Sequence, residues 1–205
     1  MGALLPPPVA PFAATVHPID DATFARMRGR SWKDDPRCPP RAALARVEVR
    51  HVTMDGGVAT GELVVARAVA GEVVTLFARL HAIGFPLARV ELVDVHDADD
   101  ERAMAADNTS AFNFRVVAGT AVLSQHARGV AIDLNPVENP MIWPDGRYVP
   151  PAGAAFLDRR RVRPGMIVRP GPVTAILDEL GWAWGGDWRH VADLHHIAWL
   201  RAAPR

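Results

Sequence analysis

The sequence predicts a single domain that combines β-strands with helices, and three observations support this prediction. The chain has 205 residues, of which 49% are hydrophobic, enough to bury one core. Two β-rich runs, residues 47–53 and 58–65, are separated by an Asp-Gly-Gly turn and predict a β-hairpin. Residues 66–83 carry apolar side chains three and four positions apart, which predicts an amphipathic helix that packs on the sheet and ends at Gly84.

The two ends of the chain differ in character. Residues 1–40 are rich in proline and arginine, and we expect an arm that wraps on the domain formed by residues 41–205. Residues 21–28 predict a short helix within this arm. Near the other end, residues 172–180 predict a helix that stops at a glycine, and residues 193–200 predict a strand.

The middle of the chain is predicted to be less regular. Residues 86–95 predict a strand, and residues 97–101 an acidic loop that faces solvent. The long proline-containing stretch of residues 135–164 predicts an irregular segment, and a loop of this length often walls a substrate cleft. Its basic run, residues 159–161, is expected to be solvated, with contact to substrate carboxylates as the alternative.

Composition argues against several classes of partner. Lysine plus arginine and aspartate plus glutamate number 23 each, and without a positive field or a basic stripe we expect no nucleic-acid partner. No stretch approaches the roughly 20 apolar residues of a membrane span. The single cysteine, Cys38, excludes an internal disulfide, and residues 1–8 lack the basic start of a signal peptide.

Two separated segments carry residue types that bind zinc. The first, LSQHARGVAID at residues 123–133, contains His126 and Asp133, and the second is DLHH at residues 193–196. A catalytic zinc takes three protein ligands of the histidine and carboxylate type and keeps a fourth position for water or substrate. The seven-residue spacing in the first segment favours a turn between adjacent strands, with Gly129 at its tight point. In the second segment, a spacing of three lets one side chain bind metal while the other faces the water.

Four motifs in order along the chain carry a resemblance to a known family. They are NTSAFNFR at residues 108–115, LSQH through DLNP at residues 123–136, WGGDW at residues 184–188, and the acid and last histidine of DLHH. Together they resemble the zinc D-alanyl-D-alanine carboxypeptidase family and its relatives, the cell-wall dipeptidases and L-alanyl-D-glutamate endopeptidases. The resemblance runs over residues 32–199, which is most of the chain.

The resemblance implies both a fold and a set of residue roles. The fold is a small α+β domain with a central antiparallel sheet flanked by helices, as in D-Ala-D-Ala metallopeptidases and the hedgehog N-terminal signalling domain. The implied zinc ligands are His126, Asp133 and His196. By the same resemblance Asp193 is the general base and Arg115 stabilises the oxyanion of the tetrahedral intermediate. The last role also makes chemical sense, because a fixed guanidinium donates hydrogen bonds to developing negative charge in a water-poor site.

The chain departs from the family around its last histidine. Directly after this histidine the family usually has an aromatic residue, often followed by an acid, whereas this chain has Ile197 and Ala198. His195 stands where relatives tend to carry a neutral residue, which creates a choice of ligand. Because neighbours on a strand point to opposite faces, only one of the two histidines can face the metal, and the Asp-x-x-His spacing selects His196.

Three further residues are candidates for substrate binding. Ser124, two residues before the first ligand, could orient a substrate terminus or brace the ligand loop. Trp184 either packs in the core or shapes the cleft wall. Asp187 either supports a ligand or loop from behind or acts as a cap.

The expected activity is zinc-dependent hydrolysis of peptide bonds next to D-amino acids in peptidoglycan stem peptides, most simply as a D-alanyl-D-alanine carboxypeptidase. Release of a dipeptide and cleavage inside the stem stay open. The alternative is a zinc-bearing cell-wall binding module that has lost catalysis, although both Asp193 and Arg115 are present. We expect a monomer that acts outside the cytoplasm or facing the cell wall, and the missing export signal leaves a cytoplasmic location open.

Overall fold

The predicted hairpin forms the centre of the first sheet in the computed structural model, which describes residues 10–199. Strands β2 (Leu44–Val52) and β3 (Val58–Ala66) pair antiparallel, and β1 (Ala14–Pro18) adds to the other edge of β2 in the order β1-β2-β3. Val47 and Val49 of β2 are fully buried while the alternating residues Arg46, Glu48 and Arg50 are partly exposed, as the geometry of a strand requires. The hairpin prediction is therefore confirmed, and each strand is longer than predicted.

The N-terminal arm contributes regular structure to this sheet. The short helix expected at residues 21–28 is confirmed as α1 (Asp21–Met27), which begins after Asp20 because the Asp20 carboxylate accepts a hydrogen bond of 2.7 Å from the Thr23 amide. Strand β1 was not predicted. Residues 1–8, where no signal helix was expected, lie outside the described residues, and the boundary at residue 40 stays a prediction.

The amphipathic helix is confirmed as α2 (Ala70–Ala82), preceded by a single 3-10 turn. Its buried face packs against β2, and the chain leaves the helix through Gly84 at a positive φ of 67°. The fully or almost fully buried side chains of this face are Val73, Leu76, Phe77 and Leu80.

The strand predicted at residues 86–95 is wrong over most of its length. Only β4 (Arg89–Val90) forms a strand, parallel to β5 (Asn108–Thr109), while Pro86 makes an isolated bridge to Val52 and residues 93–96 form a 3-10 turn. Leu92, Val93 and Asp94 are buried in succession, a pattern that a strand with one exposed face cannot provide. The apolar composition of residues 86–95 therefore does not reflect a long strand.

The acidic loop predicted at residues 97–101 is wrong at its second half. Helix α3 (Asp100–Ala105) begins there, and the Asp99 carboxylate caps it by accepting a 3.1 Å hydrogen bond from the Arg102 amide. Acidic side chains in a first turn interact favourably with the helix dipole, so the charge run that suggested a loop also suits a helix start.

The remaining strands form two small antiparallel sheets. The first, here called the site sheet, contains β6 (Ala131–Asp133), β9 (Trp182–Trp184) and β11 (His196–Trp199) in the order β6-β11-β9. The second contains β7 (Met141–Ile142), β8 (Tyr148–Val149) and β10 (Ala192–Asp193) in the order β10-β7-β8. The strand predicted at residues 193–200 is thus two strands separated by a bend at residues 194–195, and residue 200 lies outside the described range.

The segment of residues 135–164 is mostly irregular, as predicted, but its basic run is only partly solvated. Arg160 and Arg161 are exposed and lie beside Asp158. Arg159 instead turns inward, where its guanidinium donates to the carbonyl oxygens of Glu138, Phe156 and Ile167 and to the Asn139 side chain at 2.6–3.0 Å. The prediction of a solvated side chain is therefore wrong for Arg159, which holds the segment together. Its role as a cleft wall stays a prediction.

The α+β class is confirmed. Helix α4 (Pro172–Leu180) has the predicted bounds and ends at Gly181 with φ 80°. Within residues 10–199, the antiparallel strands are divided among three three-stranded sheets, and the main core lies between the first sheet, α2, α4 and the site sheet. Across the same residues, no helix combines the length and apolarity needed to cross a membrane.

Candidate metal centre

His126 is positioned by a tight turn. It begins a 3-10 turn (His126–Arg128) that ends at Gly129, whose φ is 69°. A Cβ atom at residue 129 would lie 2.5 Å from the Ala66 amide nitrogen, so the close approach to the end of β3 also requires glycine. The tight backbone predicted for Gly129 is confirmed, but His126 lies on this turn and not on a strand.

Asp133 and His196 are positioned by strand pairing. They lie directly opposite each other where β6 and β11 pair antiparallel, so their side chains share one face of the site sheet. Ala131 and Ala198 form another pair in the same ladder, and their small side chains are almost fully buried. The sheet therefore brings together two residues that are 63 positions apart in the chain.

The three predicted ligands converge on one point. The distances between His126 Nε2, Asp133 Oδ1 and His196 Nδ1 are each 3.1 Å. Both histidines are buried, with 3% and 6% exposure, and the Asp133 side chain is 13% exposed. The group is thus a compact, water-poor triangle of two nitrogens and one oxygen that could hold a metal ion.

In each of the two imidazoles, the ring nitrogen that faces away from the triangle makes a hydrogen bond, and this bond determines the protonation of the other nitrogen. His126 Nδ1 donates to the Ala111 carbonyl oxygen at 2.6 Å, and His196 Nε2 donates to the Gln125 side-chain oxygen at 2.8 Å. In the neutral rings, the remaining nitrogens then carry lone pairs aimed at each other and at the Asp133 carboxylate. Such an arrangement calls for positive charge at its centre, and a metal ion satisfies all three atoms at once.

The charges within the group affect both titrating partners. Burial by itself would lower the pKa of His126, but the adjacent Asp133 carboxylate raises it above the usual histidine value. Burial opposes ionisation of Asp133, yet the charges of His126 and His195 hold the pKa of that carboxyl well below its usual range. The carboxylate is therefore ionised and ready to bind a cation.

Ser124 supports the first ligand from behind. Its hydroxyl oxygen accepts a hydrogen bond of 3.2 Å from the His126 amide, and the residue is 5% exposed. This geometry fits the bracing alternative better than contact with a substrate terminus.

Asp193 lies beside the cluster, on β10. Its Oδ1 atom is 3.0 Å from His195 Nε2, and that nitrogen is 4.0 Å from Asp133 Oδ2. The first contact is an ion pair whose angle departs from that of a good hydrogen bond. His195 stays out of the triangle of ligand atoms, and although burial opposes its charge, Asp193 and Asp133 raise the pKa of His195 to about 9.

Arg115 lies near His126, and its carbonyl oxygen accepts a hydrogen bond of 3.0 Å from the Ser124 amide. Its Nε atom pairs with an oxygen of Asp100, and its positive charge is close enough to lower the pKa of His126. The guanidinium-bearing side chain is 32% exposed. Asp100 also accepts a hydrogen bond of 2.8 Å from the Asn113 side chain, which ties helix α3 to the segment that carries Arg115.

The WGGDW motif supports the site sheet. Trp184 is 6% exposed, and its indole nitrogen donates to the Leu194 carbonyl oxygen at 2.8 Å, beside the bend that leads to His196. Asp187 pairs with Arg169 at 2.9 Å and is about half exposed. Trp188 is 44% exposed, and its ring lies 5.2 Å from that of His196. Burial thus favours the packing alternative for Trp184, whereas Trp188 offers an open face at the site.

Sequence reasoning missed two side chains that contact the predicted site residues. They are Gln125, which orients His196, and Asp100, which holds Arg115. Gln125 stands between two residues that were singled out, but a glutamine carries no signal of its own in a single sequence. Asp100 belongs to the acidic run of residues 97–101, which was predicted to face solvent, so its pairing with Arg115 was not expected.

Fold and site together define an α+β domain with a buried His-Asp-His group at the edge of a small antiparallel sheet. Residues 118–199 match the model of a family described as D-alanyl-D-alanine carboxypeptidase. This match confirms the predicted resemblance and supports a peptidase with a peptide substrate. It includes the three cluster residues and Asp193, whereas Arg115 lies just before it. Comparison with curated proteins found no match, and comparison with solved structures found none either.

Proposed function

We propose that this protein is a zinc-dependent peptidase that hydrolyses bonds next to D-amino acids in peptidoglycan stem peptides, with D-alanyl-D-alanine carboxypeptidase activity as the first expectation. The observation that carries the proposal is the triangle of His126, Asp133 and His196. Its 3.1 Å sides are near the roughly 3.3 Å that separates ligand atoms bound tetrahedrally at about 2.0–2.1 Å.

Zinc is the metal that these ligands suit best. Two imidazole nitrogens and one carboxylate oxygen form a common catalytic zinc set, and the outer hydrogen bonds to Ala111 and Gln125 are those expected behind zinc-bound histidines. When bound, zinc would acidify an attacking water and polarise the scissile carbonyl.

Asp193 is the proposed general base. It is 8% exposed, carries a carboxylate beside the cluster, and lies three residues before the last ligand. Its carboxylate would accept the proton of the attacking water and then pass it to the departing amine, so that the group returns to its starting state after each turnover.

Arg115 is proposed to stabilise the negative oxygen of the tetrahedral intermediate. The ion pair to Asp100 engages Nε and restrains the guanidinium, and the side chain is 32% exposed, which leaves it open to a substrate. A guanidinium held in this way does not need to reorganise when charge develops, which is the source of its catalytic effect.

The first experiment measures release of D-alanine from a peptide that ends in D-Ala-D-Ala. We expect release that a chelator abolishes and added zinc restores. Zinc binding without hydrolysis of this peptide or any muropeptide would contradict the proposed activity and favour the binding module. Mass analysis of digested peptidoglycan would then separate carboxypeptidase, dipeptidase and endopeptidase cleavage.

The base assignment predicts that Asp193→Asn lowers kcat by about 100-fold to 10,000-fold, because an amide cannot accept the proton. Zinc content, measured by elemental analysis, should remain at the wild-type value. Asp34→Asn, at an exposed position, is the matched control and should keep full activity. Comparable turnover in Asp193→Asn would refute the role.

We further infer a location outside the cytoplasm or facing the cell wall, because the proposed substrate is found there, and a monomeric state. Fractionation of cells with an antibody to the chain tests the first inference, and light scattering on the purified protein tests the second. Recovery of the protein in the cytoplasm alone, or as a stable dimer, would contradict the respective inference.

A further inference from the structure

His195 lies between two carboxylates that the proposed mechanism uses in different ways. Its Nε2 atom is 3.0 Å from Asp193 Oδ1 and 4.0 Å from Asp133 Oδ2. The Asp133 oxygen that faces His195 is the one that does not join the triangle, since Oδ1 contacts His126 and His196. One imidazole nitrogen therefore faces both the proposed base and a proposed metal ligand.

The hydrogen positions on the His195 ring follow from its partners. Nδ1 lies 2.8 Å from the Asn139 carbonyl oxygen, which can only accept, so Nδ1 carries a hydrogen. Nε2 faces the carboxylate oxygens of Asp193 at 3.0 Å and Asp133 at 4.0 Å, which can accept a hydrogen carried by that nitrogen.

The backbone holds this ring in place independently of a metal. His195 sits in the bend between β10 and β11, and its carbonyl oxygen accepts a hydrogen bond of 3.0 Å from the Leu134 amide. The neighbouring Leu194 carbonyl accepts from Trp184. The side chain is 5% exposed, so water cannot easily replace its contacts with the two acids.

We propose that His195 is a positioning residue that holds the Asp193 base and the free oxygen of Asp133 through its Nε2–H group. The inference rests on the proposed function, since it assigns His195 to act through that base and that ligand. It concerns a position where the chain departs from the family pattern. Removing the Nε2–H group should leave two buried carboxylates close together without a shared partner, which should disturb both metal affinity and turnover.

Two substitutions separate the two ring nitrogens. In His195→Gln, the amide nitrogen falls near the position of Nε2 and can still donate to the acids. In His195→Asn, it falls near Nδ1 and can donate only to the Asn139 carbonyl. If His195 only serves to bind Asn139, His195→Asn should keep metal affinity and activity better than His195→Gln. The proposed role predicts the reverse order.

The first readout is metal affinity, measured by competition between each variant and a chelator for Co²⁺, together with the visible spectrum of the bound Co²⁺. We expect His195→Asn to bind Co²⁺ about 10-fold to 100-fold more weakly than wild type, with an altered spectrum. His195→Gln should stay within about threefold. His17→Gln, on β1 away from the site sheet, is the control and should match wild type.

The second readout is the split between kcat and KM for D-alanine release. We expect His195→Asn to lower kcat by about 10-fold or more with little change in KM, because the substrate contacts are unchanged while the base is misplaced. His195→Gln should recover most of kcat. Equal behaviour of the two variants in both readouts, or better function of His195→Asn, would overturn the proposal.

Failure of this inference is distinguishable from failure of the proposed function. If wild-type protein binds no Co²⁺ or Zn²⁺ and hydrolyses nothing, the proposed function itself fails and the positioning role fails with it. If wild type binds metal and is active while both His195 variants match it, only the positioning role is wrong. Circular dichroism and thermal melting of each variant establish that the compared proteins are folded.

Discussion

Glu138 is a buried acid outside the metal centre, and its surroundings make the stability of the fold depend on pH. Burial, together with a hydrogen bond and charge repulsion from Asp107, raises the pKa of Glu138 to about 8. One of its carboxylate oxygens is buried without a hydrogen-bond partner among the described residues. The protonated form is therefore favoured in the folded protein at neutral pH.

The raised pKa predicts a loss of stability as pH rises. Between about pH 4.5 and 8, the unfolded chain releases the Glu138 proton while the folded protein keeps it, so the free energy of unfolding falls across this window and levels off above it. We predict that Glu138→Gln reduces this fall by an amount on the order of a few kcal/mol. Urea unfolding at pH 5 and pH 9 measures it.

The control for this prediction is Glu101→Gln, at an exposed position in the first turn of α3. It should leave the pH dependence close to that of wild type. If Glu138→Gln also retains the wild-type slope between pH 5 and pH 9, the protonated state assigned to Glu138 is wrong.

At the same scale, residue types in the motifs were sufficient to predict the cluster but not its outer contacts. His126, Asp133 and His196 were singled out because the family motifs contain these types at these spacings, and the structure brings their ligand atoms together. Gln125 and Ala111 hold the outer ring nitrogens through an ordinary amide side chain and a backbone carbonyl. Neither leaves a pattern in one sequence, because such contacts are created by the folded geometry.

At the scale of elements, the turn after His126 determines how the first ligand reaches the site sheet. We predict that Gly129→Ala destabilises the protein by about 2 kcal/mol or more, because the positive φ alone costs about 1–2 kcal/mol and the added Cβ would meet the Ala66 amide. Urea unfolding measures the loss, and metal affinity should fall with it.

Gly119→Ala is the matched control for the turn. Gly119 has a similar φ of 75°, but a Cβ atom there would meet nothing within 4 Å. Gly119→Ala should therefore lower the free energy of unfolding only through the unfavourable positive φ, by about 1 kcal/mol. If the two alanine variants are equally stable, the close approach to Ala66 does not constrain the turn.

The indole of Trp184 is predicted to stabilise the bend between β10 and β11. Trp184→Phe removes the hydrogen bond to the Leu194 carbonyl, and we expect a loss of about 1–3 kcal/mol because that oxygen is then left without this donor. Trp182→Phe is the comparison, since the Trp182 indole nitrogen has no hydrogen-bond partner among the described residues. If thermal unfolding shows the same loss of stability in both variants, the hydrogen bond to Leu194 at the bend is not its cause.

Element prediction succeeded where one physical signal was strong. Helices α2 and α4 have clear apolar periodicity and glycine ends, and the β2–β3 hairpin has a turn sequence with few alternatives. Residues 86–95 failed because a run of apolar residues is compatible with a strand or with a buried irregular path, and only packing decides between them. Strand β1 was missed because its single-sided pairing to β2 is a tertiary contact.

At the scale of the whole molecule, long-range pairing assembles the centre. The cluster requires the 3-10 turn after residue 125, the pairing of β6 with β11, and the position of β10 beside β7. The family match over residues 118–199 covers these elements, while Arg115 and its partner Asp100 lie before it. The sequence could predict the class and the candidate ligands, but the division of strands among small sheets depends on contacts that no local pattern encodes.

The most direct test of the account is the zinc content of purified wild-type protein compared with His126→Gln, measured by elemental analysis after dialysis. The account predicts about one zinc per wild-type chain and a large loss in the variant, with His17→Gln unchanged as the control. Wild-type protein that holds no zinc after incubation with it, or a His126→Gln variant that binds zinc as tightly as wild type, would contradict the assignment of the His126, Asp133 and His196 triangle as a metal site.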